Sequence, residues 1–208
     1  MSASRRFAAV LFSVLSVSAA AQAKDCLVAV RPIGAASGEL VSAVASSIEA
    51  TFRVKAEILP AVPLPREAYY PPRGRYRAEK LLDFLEATTA SKYDRVIGIT
   101  SRDISTRKGR YDDWGIFGLA YISSRPCVVS TFRLNRNAGP ELLRARLLKV
   151  ARHEIGHTFG LQHCSTAGCI MQDAKGSIKT VDSSDGSFCA TCRALGAWFL
   201  KPPQTVIR

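Results

Sequence analysis

Acidic side chains are scarce in this sequence. Seventeen aspartates and glutamates stand against 29 lysines and arginines in 208 residues, a formal net charge of +12. Such an excess suits contact with nucleic acid, an anionic envelope polymer or an acidic peptide. Aromatic residues are sparse too, at 8%. The dense basic clusters, Arg73, Arg75 and Arg77 and then Arg107, Lys108 and Arg110, carry no repeated aromatic platform. That lack weighs against nucleic acid as a partner and leaves a solvated basic face as the simpler reading. No linker or internal repeat divides the chain, so one domain with a real core is expected. Histidine is rarer still, with three residues in all.

A long apolar run is also missing. Residues 7–21 are apolar, but 15 residues fall short of the roughly 20 that a membrane-spanning helix needs. The run follows Arg5 and Arg6 and ends in Ala21-Gln22-Ala23, a small-x-small pattern. Together these predict a signal peptide over residues 1–23, cut after Ala23. An uncleaved anchor is the alternative. A lipid anchor on Cys26 is disfavoured, because Lys24-Asp25 is not the apolar and small pair it needs. The mature chain, residues 24–208, loses Arg5 and Arg6 and carries +10. It is expected to be exported, periplasmic or secreted, and to act as a monomer without a stable membrane anchor.

Six cysteines are many for an intracellular enzyme and few for a disulfide scaffold of this length. Cys164, Cys169, Cys189 and Cys192 fall within 29 residues, whereas Cys26 and Cys127 stand far apart. Two separate jobs are implied.

Apolar patterning predicts strands at 27–33, 54–59 and 95–100, with helices at 37–52 and 77–88 between them. Ser37 is a candidate N-cap. This alternation builds a mostly parallel sheet with crossover helices. The proline-rich stretch 60–74 reads as an irregular connection and the polar stretch 101–113 as a surface loop. Runs at 116–122 and 127–134 read as strands joined by Ser123-Ser124-Arg125-Pro126. So short a link forbids a parallel crossover, so one of the two must be antiparallel. Gly139-Pro140-Glu141 then opens a long helix that Gly160 can stop.

That helix ends in His153-Glu154-Ile155-Gly156-His157. Residues i and i+4 share a helix face about 6 Å apart, a gap that two zinc–nitrogen bonds of roughly 2 Å can close. Glu154 falls beside the metal, free to take a proton from water, and His163 arrives as a third ligand after Gly160. All three histidines of the chain fall within 11 residues at this spacing. Chance or core packing would have to treat that as coincidence. Three neutral ligands leave zinc its double charge and an open position.

Beyond His163-Cys164 come four residues, Cys169, one residue, Met171, seventeen residues, then Cys189-x-x-Cys192. The whole run resembles the archaemetzincin family of zinc metalloproteases, in the metzincin clan. Arg73-Gly74-x-Tyr76, the stretch 94–100, Phe117-Gly118-x-Ala120, Val129-Ser130, Arg133-Leu134 and Asp182 are similar to family landmarks, so the resemblance covers nearly all of 24–208. It implies a compact metzincin-like α/β domain with a five-stranded mixed sheet, a long active-site helix, and an antiparallel edge strand near 116–122 bordering the cleft. It also implies a catalytic zinc on His153, His157 and His163, a Met-turn at Met171, and a second, structural zinc on Cys164, Cys169, Cys189 and Cys192. Four thiolates in two close pairs suit a closed tetrahedral site that staples the C-terminal segment. Export to an oxidising compartment makes disulfides the alternative for these thiols. Cys26 and Cys127 could form a further disulfide or be two buried apolar residues. Arg75 stands where the family has an amide, and Ser101-Arg102-Asp103 replaces a more acidic turn.

The expected activity is hydrolysis of a peptide bond in a peptide or protein substrate, with Glu154 as the base. Tyr121 is a weak candidate for a second oxyanion donor. The competing reading is a catalytically silent zincin-fold peptide-binding protein, against which the intact Glu154 argues.

Overall fold

The computed structural model describes residues 26–202. The expected signal peptide lies outside the described residues. Strand and helix alternate through β1 (Cys26–Ile33), α1 (Gly38–Thr51), β2 (Val54–Ile58), short strands β3 (Tyr69–Tyr70) and β4 (Arg75–Arg77), α2 (Ala78–Thr88) and β5 (Arg95–Thr100). Strands β6 (Ile104–Lys108), β7 (Tyr111–Ile116), β8 (Gly118–Ala120) and β9 (Pro126–Ser130) follow. Helices α3 (Thr131–Leu134), α4 (Pro140–Thr158), α5 (Ile178–Ser183) and α6 (Ala190–Leu195) complete the chain.

The main sheet has five strands in the order β2-β1-β5-β9-β8, parallel except for the antiparallel edge strand β8. Because strand side chains alternate faces, Val28, Val30, Ile97, Ile99, Cys127 and Val129 point to one side and pack on α1 and α4. Ala29, Val96 and Val128 point to the other and pack on α2. Both faces are covered, which is why the central strands read as unbroken apolar runs. At Gly98 even a Cβ would come within 2.7 Å of the Ile33 and Leu85 side chains, so the sheet meets α2 there backbone to side chain.

Four sequence expectations need correction, the first being that 60–74 is irregular throughout: Tyr69–Tyr70 forms β3 and pairs antiparallel with β4. The stretch 101–113 is not a loop: β6 and β7 form an antiparallel hairpin within a second, four-stranded sheet, β3-β4-β6-β7. Only its base is apolar, where Ile104 is buried in the core opposite Ile116, and charged contacts secure that base as well. Arg133 donates to both carboxylate oxygens of Asp103, at 2.6 and 3.0 Å, and Arg75 bridges Asp103 at 2.8 Å and Asp113 at 2.6 Å. The run 116–122 is split, Ile116 closing β7 and only Gly118–Ala120 forming the edge strand. The run 127–134 is also divided. Strand β9 ends at Ser130, whose hydroxyl accepts from the Phe132 N–H at 3.1 Å and starts α3. By contrast Ser37 occupies the N-cap position of α1 without a side-chain capping bond.

Strand register also decides between the two readings of Cys26 and Cys127. Cys127 pairs with Ile97, which pairs with Val30, so Cys127 is two strands across and four residues along from Cys26. At roughly 4.8 Å per strand and 3.3 Å per residue that is on the order of 16 Å, far beyond the roughly 7 Å reach of a disulfide. Both residues belong to the core, Cys127 fully buried and Cys26 partly so.

Helix α4 starts as its sequence predicts, with Gly139 as N-cap, Pro140 in the first turn and Glu141 beside the positive end. Leu147, Val150, Ala151 and Ile155 face the core. Arg146 is buried on the same helix, donating to Asp182 through Nε at 2.7 Å and a terminal nitrogen at 2.8 Å. Its other terminal nitrogen donates to the carbonyls of Leu134 and Arg136. This pair ties α5 to α4. Asp182→Ala leaves the buried guanidinium with only its carbonyl acceptors, and because the carboxylate is 37% exposed a loss of about 1–2 kcal/mol is expected, read as a lower midpoint in urea unfolding at unchanged slope. A midpoint within error of wild type would show that solvent replaces the carboxylate.

Candidate metal centres and active-site cleft

Helix α4 delivers the first two histidines, and its end delivers the third. Gly160, at φ +100°, takes a conformation that favours glycine. Its N–H donates to the His157 carbonyl at 2.9 Å, and the Leu161 N–H donates to the Gly156 carbonyl at 3.0 Å. This paired closure is a Schellman motif. It turns the chain back so that His163 meets the other two imidazoles, with ring centroids 5.4 Å from His153 and 4.8 Å from His157.

Two of the three rings are held by backbone. His153 Nδ1 donates to the Ile170 carbonyl at 2.7 Å and His157 Nδ1 to the Leu161 carbonyl at 2.6 Å. With each proton committed at Nδ1, Nε2 presents a lone pair, and the two Nε2 atoms face each other 2.9 Å apart. Lone pairs so placed repel unless a cation lies between them, and a carbonyl on the far nitrogen is the arrangement usual for a ligating histidine. Burial holds both imidazoles neutral, lowering His157 and pulling His153 down to about 3. Neutral imidazole is the form that binds metal. The ligand atoms of His153, His157 and His163 lie within 4.8 Å of one another.

Glu154 lies on the wall of the same cleft, 7% exposed, and burial raises its carboxyl to about 8. A dication alongside would draw that value down again. Gly118 of the edge strand makes the room it needs: a Cβ there would stand 2.6 Å from Glu154 Oε1 and 2.7 Å from Cγ. If Glu154 takes part in catalysis, Gly118→Ala should displace the carboxylate and lower turnover by about tenfold with zinc content intact, since small misplacements of a reacting group are costly. Wild-type rates in that variant would mean Glu154 has slack. Gly156 plays the matching part beneath α4. Its missing side chain admits Met171, fully buried, whose Sδ would be 2.8 Å from a Cβ there.

The four other cysteines converge. Cys164 and Cys189 Sγ are 3.7 Å apart, Cys169 and Cys192 Sγ 3.8 Å, and all four sulfurs lie within 4.8 Å of one another. Zinc–sulfur bonds of about 2.3 Å at tetrahedral angles place sulfurs about 3.8 Å apart, whereas a disulfide needs roughly 2.05 Å. The donor set and the spacing fit a metal. The cluster is joined to the histidine site: Cys164 follows His163, and its N–H donates to the Met171 carbonyl at 2.8 Å.

The cleft beside the histidines encloses about 220 Å³. All three histidines and Glu154 border it, whereas Tyr121 is not among its lining residues. Sequence reasoning missed Lys108 and Trp114 as lining residues, because the hairpin that carries them was read as a loop.

The sequence pattern of peptidase family M54 matches residues 39–195. The chain belongs to this family. Among its relatives, an archaemetzincin from Halobacterium salinarum is 31% identical over 170 residues, covering 78% of this chain and 94% of the relative. The archaemetzincin of Methanopyrus kandleri is 40% identical over 132 residues, covering 64% of this chain and 71% of that one. Its crystal structure superposes with a TM-score of 0.71 at 31% identity, over 82% of this chain and 93% of the other. An archaemetzincin from Archaeoglobus fulgidus, solved in complex with malonate, gives 0.69 at 30% identity, over 81% and 98%. The M54 membership and the agreement with these folds make this chain a zinc-dependent peptidase with a mixed α/β sheet.

Proposed function

We propose that His153, His157 and His163 hold the catalytic zinc, that Glu154 is the acid–base residue, and that Cys164, Cys169, Cys189 and Cys192 hold a second, structural zinc. The observation that carries the reading is the pair of Nε2 lone pairs held face to face by carbonyls on the far nitrogens. When bound there, zinc supplies a Lewis acid that polarises a peptide carbonyl and makes water more acidic. Glu154, buried against Gly118, takes the proton of the attacking water and passes it to the amine as the C–N bond breaks. Its dry surroundings raise its proton affinity, which suits a group that must carry a proton between the two steps. His153 and His157 keep their orientation through Ile170 and Leu161, while Met171 supports the helix from below.

The substrate is a peptide or protein, and residues 24–208 act as one monomeric peptidase domain outside the cytoplasm after removal of residues 1–23. The basic start, apolar stretch and Ala21-Gln22-Ala23 support export. Among the described residues no helix is long and apolar enough to cross a membrane. Elemental analysis of chelator-free protein should find two zinc ions per chain. One zinc with no titratable thiol among the four clustered cysteines would replace the structural metal by disulfides. Intact-mass analysis of exported material should begin at Lys24, and retention of Met1 would overturn the export reading.

A further inference from the structure

The cleft has a lysine-bearing end that the zinc chemistry does not use. From His153 it runs back along α4 past Val150 to Lys149, between that helix and the wall formed by Ile116 and Phe117. At the far side the β6–β7 hairpin meets the loop that carries Asp173, Lys175 and Gly176. The contact is close. Gly176 adopts φ +76°, and a Cβ on it would stand 3.2 Å from Trp114 Cζ2 and 3.3 Å from Nε1, so the indole lies on bare backbone. Lys108 Nζ is 5.7 Å from the same indole ring.

Three lysines therefore line this end, Lys108, Lys149 and Lys175, against one acidic residue besides Glu154, Asp173. Asp173 accepts from the Lys175 backbone N–H at 2.8 Å. Lys149 donates to two carbonyls, those of Val181 at 3.1 Å and Asp182 at 3.4 Å. Lys108 and Lys175 are both exposed and form no close ion pair among the described residues, and Asp173 is the carboxylate whose charge they already favour. The hairpin is not a loose flap. The Arg133 guanidinium lies so close across Gly115 that a Cβ there would meet its Cζ at 2.0 Å, and the same guanidinium grips Asp103. The base of the hairpin is thus held, and Trp114 rests on Gly176 over the cleft before any peptide arrives.

We propose that this end of the cleft selects a carboxylate on the substrate, about two residues from the bond that is cut. The distance follows from geometry. Lys149 precedes His153 by four residues, about 6 Å of helix, and an extended peptide covers that span in roughly two residues. The apolar walls take the intervening side chain and Lys108, Lys149 and Lys175 receive the charge. Either an aspartate or glutamate side chain or a free C-terminal carboxylate has the required chemistry. The inference rests on the peptidase reading and names the substrate class of that site.

A synthetic peptide library, half of it amidated at the C-terminus, tests the proposal with zinc-loaded mature protein and mass-spectrometric mapping of every cut. Enrichment of Asp and Glu at one position within two residues of the cut identifies a side-chain carboxylate. Cuts set at two residues from the C-terminus, lost on amidation, identify the terminal one. The Lys108→Gln, Lys175→Gln double variant should reduce kcat/KM for a preferred acidic peptide about tenfold relative to its neutral amide counterpart, with added salt narrowing the ratio in wild type. Cutting without acidic preference, or a preference the double variant keeps, overturns the inference while leaving the peptidase intact. If no peptide were cut, the peptidase reading would fall, yet Trp114 fluorescence in a Trp198→Phe background still tests this one. A glutamate-containing hexapeptide must perturb the emission and its glutamine counterpart must not, and equal responses would refute carboxylate selection.

Discussion

Glu154→Gln is expected to leave the zinc content unchanged and to lower peptide turnover by about 10²-fold or more. The magnitude is that of losing a positioned acid–base group. The substitution keeps the shape of the side chain, so the fit against Gly118 survives, but an amide cannot carry the proton from water to the leaving amine. None of the metal-facing nitrogens is touched, because Glu154 is not among the converging donors His153, His157 and His163. His157→Ala makes the contrast. It removes a buried ring anchored to the Leu161 carbonyl, and the catalytic zinc should leave with it, giving one metal fewer by elemental analysis. Normal cleavage by Glu154→Gln would show that another group handles the proton. Zinc loss in that variant would show instead that the carboxylate belongs to the coordination sphere.

The histidine site was legible in the sequence because it depends on helix periodicity alone. Two histidines four apart, a glycine three later and a third histidine three after that need no tertiary information to be placed on one face and one turn. The parallel strands were legible for a similar reason, since burial on both faces leaves an apolar run in the sequence. The hairpin at Ile104–Lys108 and Tyr111–Ile116 was not, because only Ile104 and Ile116 at its base are apolar anchors and its charged contacts meet only after folding. Gly109, at φ +56° in its turn, was the available signal. Strand β9 was read too long for the opposite reason. The apolar pattern through Phe132 and Leu134 outweighed Ser130, a good N-cap residue followed by helix. The relation between Cys26 and Cys127 lies beyond any local pattern. Only the register of β1 on β5 and of β5 on β9 decides it. The landmarks of the family resemblance acquire reasons in the same way. Gly118 yields space to Glu154, Arg133 crosses Gly115, and Asp182 neutralises Arg146.

Removing one cysteine of the cluster should cost the protein more than a metal ion. Cys192→Ser is expected to lower the zinc count from two to one, to drop the melting temperature by more than about 10 °C, and to weaken retention of the catalytic zinc as well. The stability effect follows from linkage. A structural zinc site forms only in the folded state, and apparent binding energies near 10–16 kcal/mol in small zinc domains are folding energy. Even a fraction of that is large against the usual net stability of a domain. The effect on the second metal follows from the chain path. Cys164 adjoins His163, the Cys164 N–H holds the Met171 carbonyl, and the Ile170 carbonyl receives His153. Cys169 immediately precedes Ile170, and the Cys189 N–H donates to its sulfur at 3.4 Å. Loosening the cluster therefore loosens one histidine ligand through its chain neighbour, a second through its carbonyl anchor, and the methionine beneath α4. Competition with a graded chelator measures this directly, and the catalytic zinc should be extracted from Cys192→Ser at lower chelator concentration than from wild type. If that variant lost its structural metal yet held the catalytic zinc as tightly as before, the two centres would be neighbours in sequence without being coupled in energy.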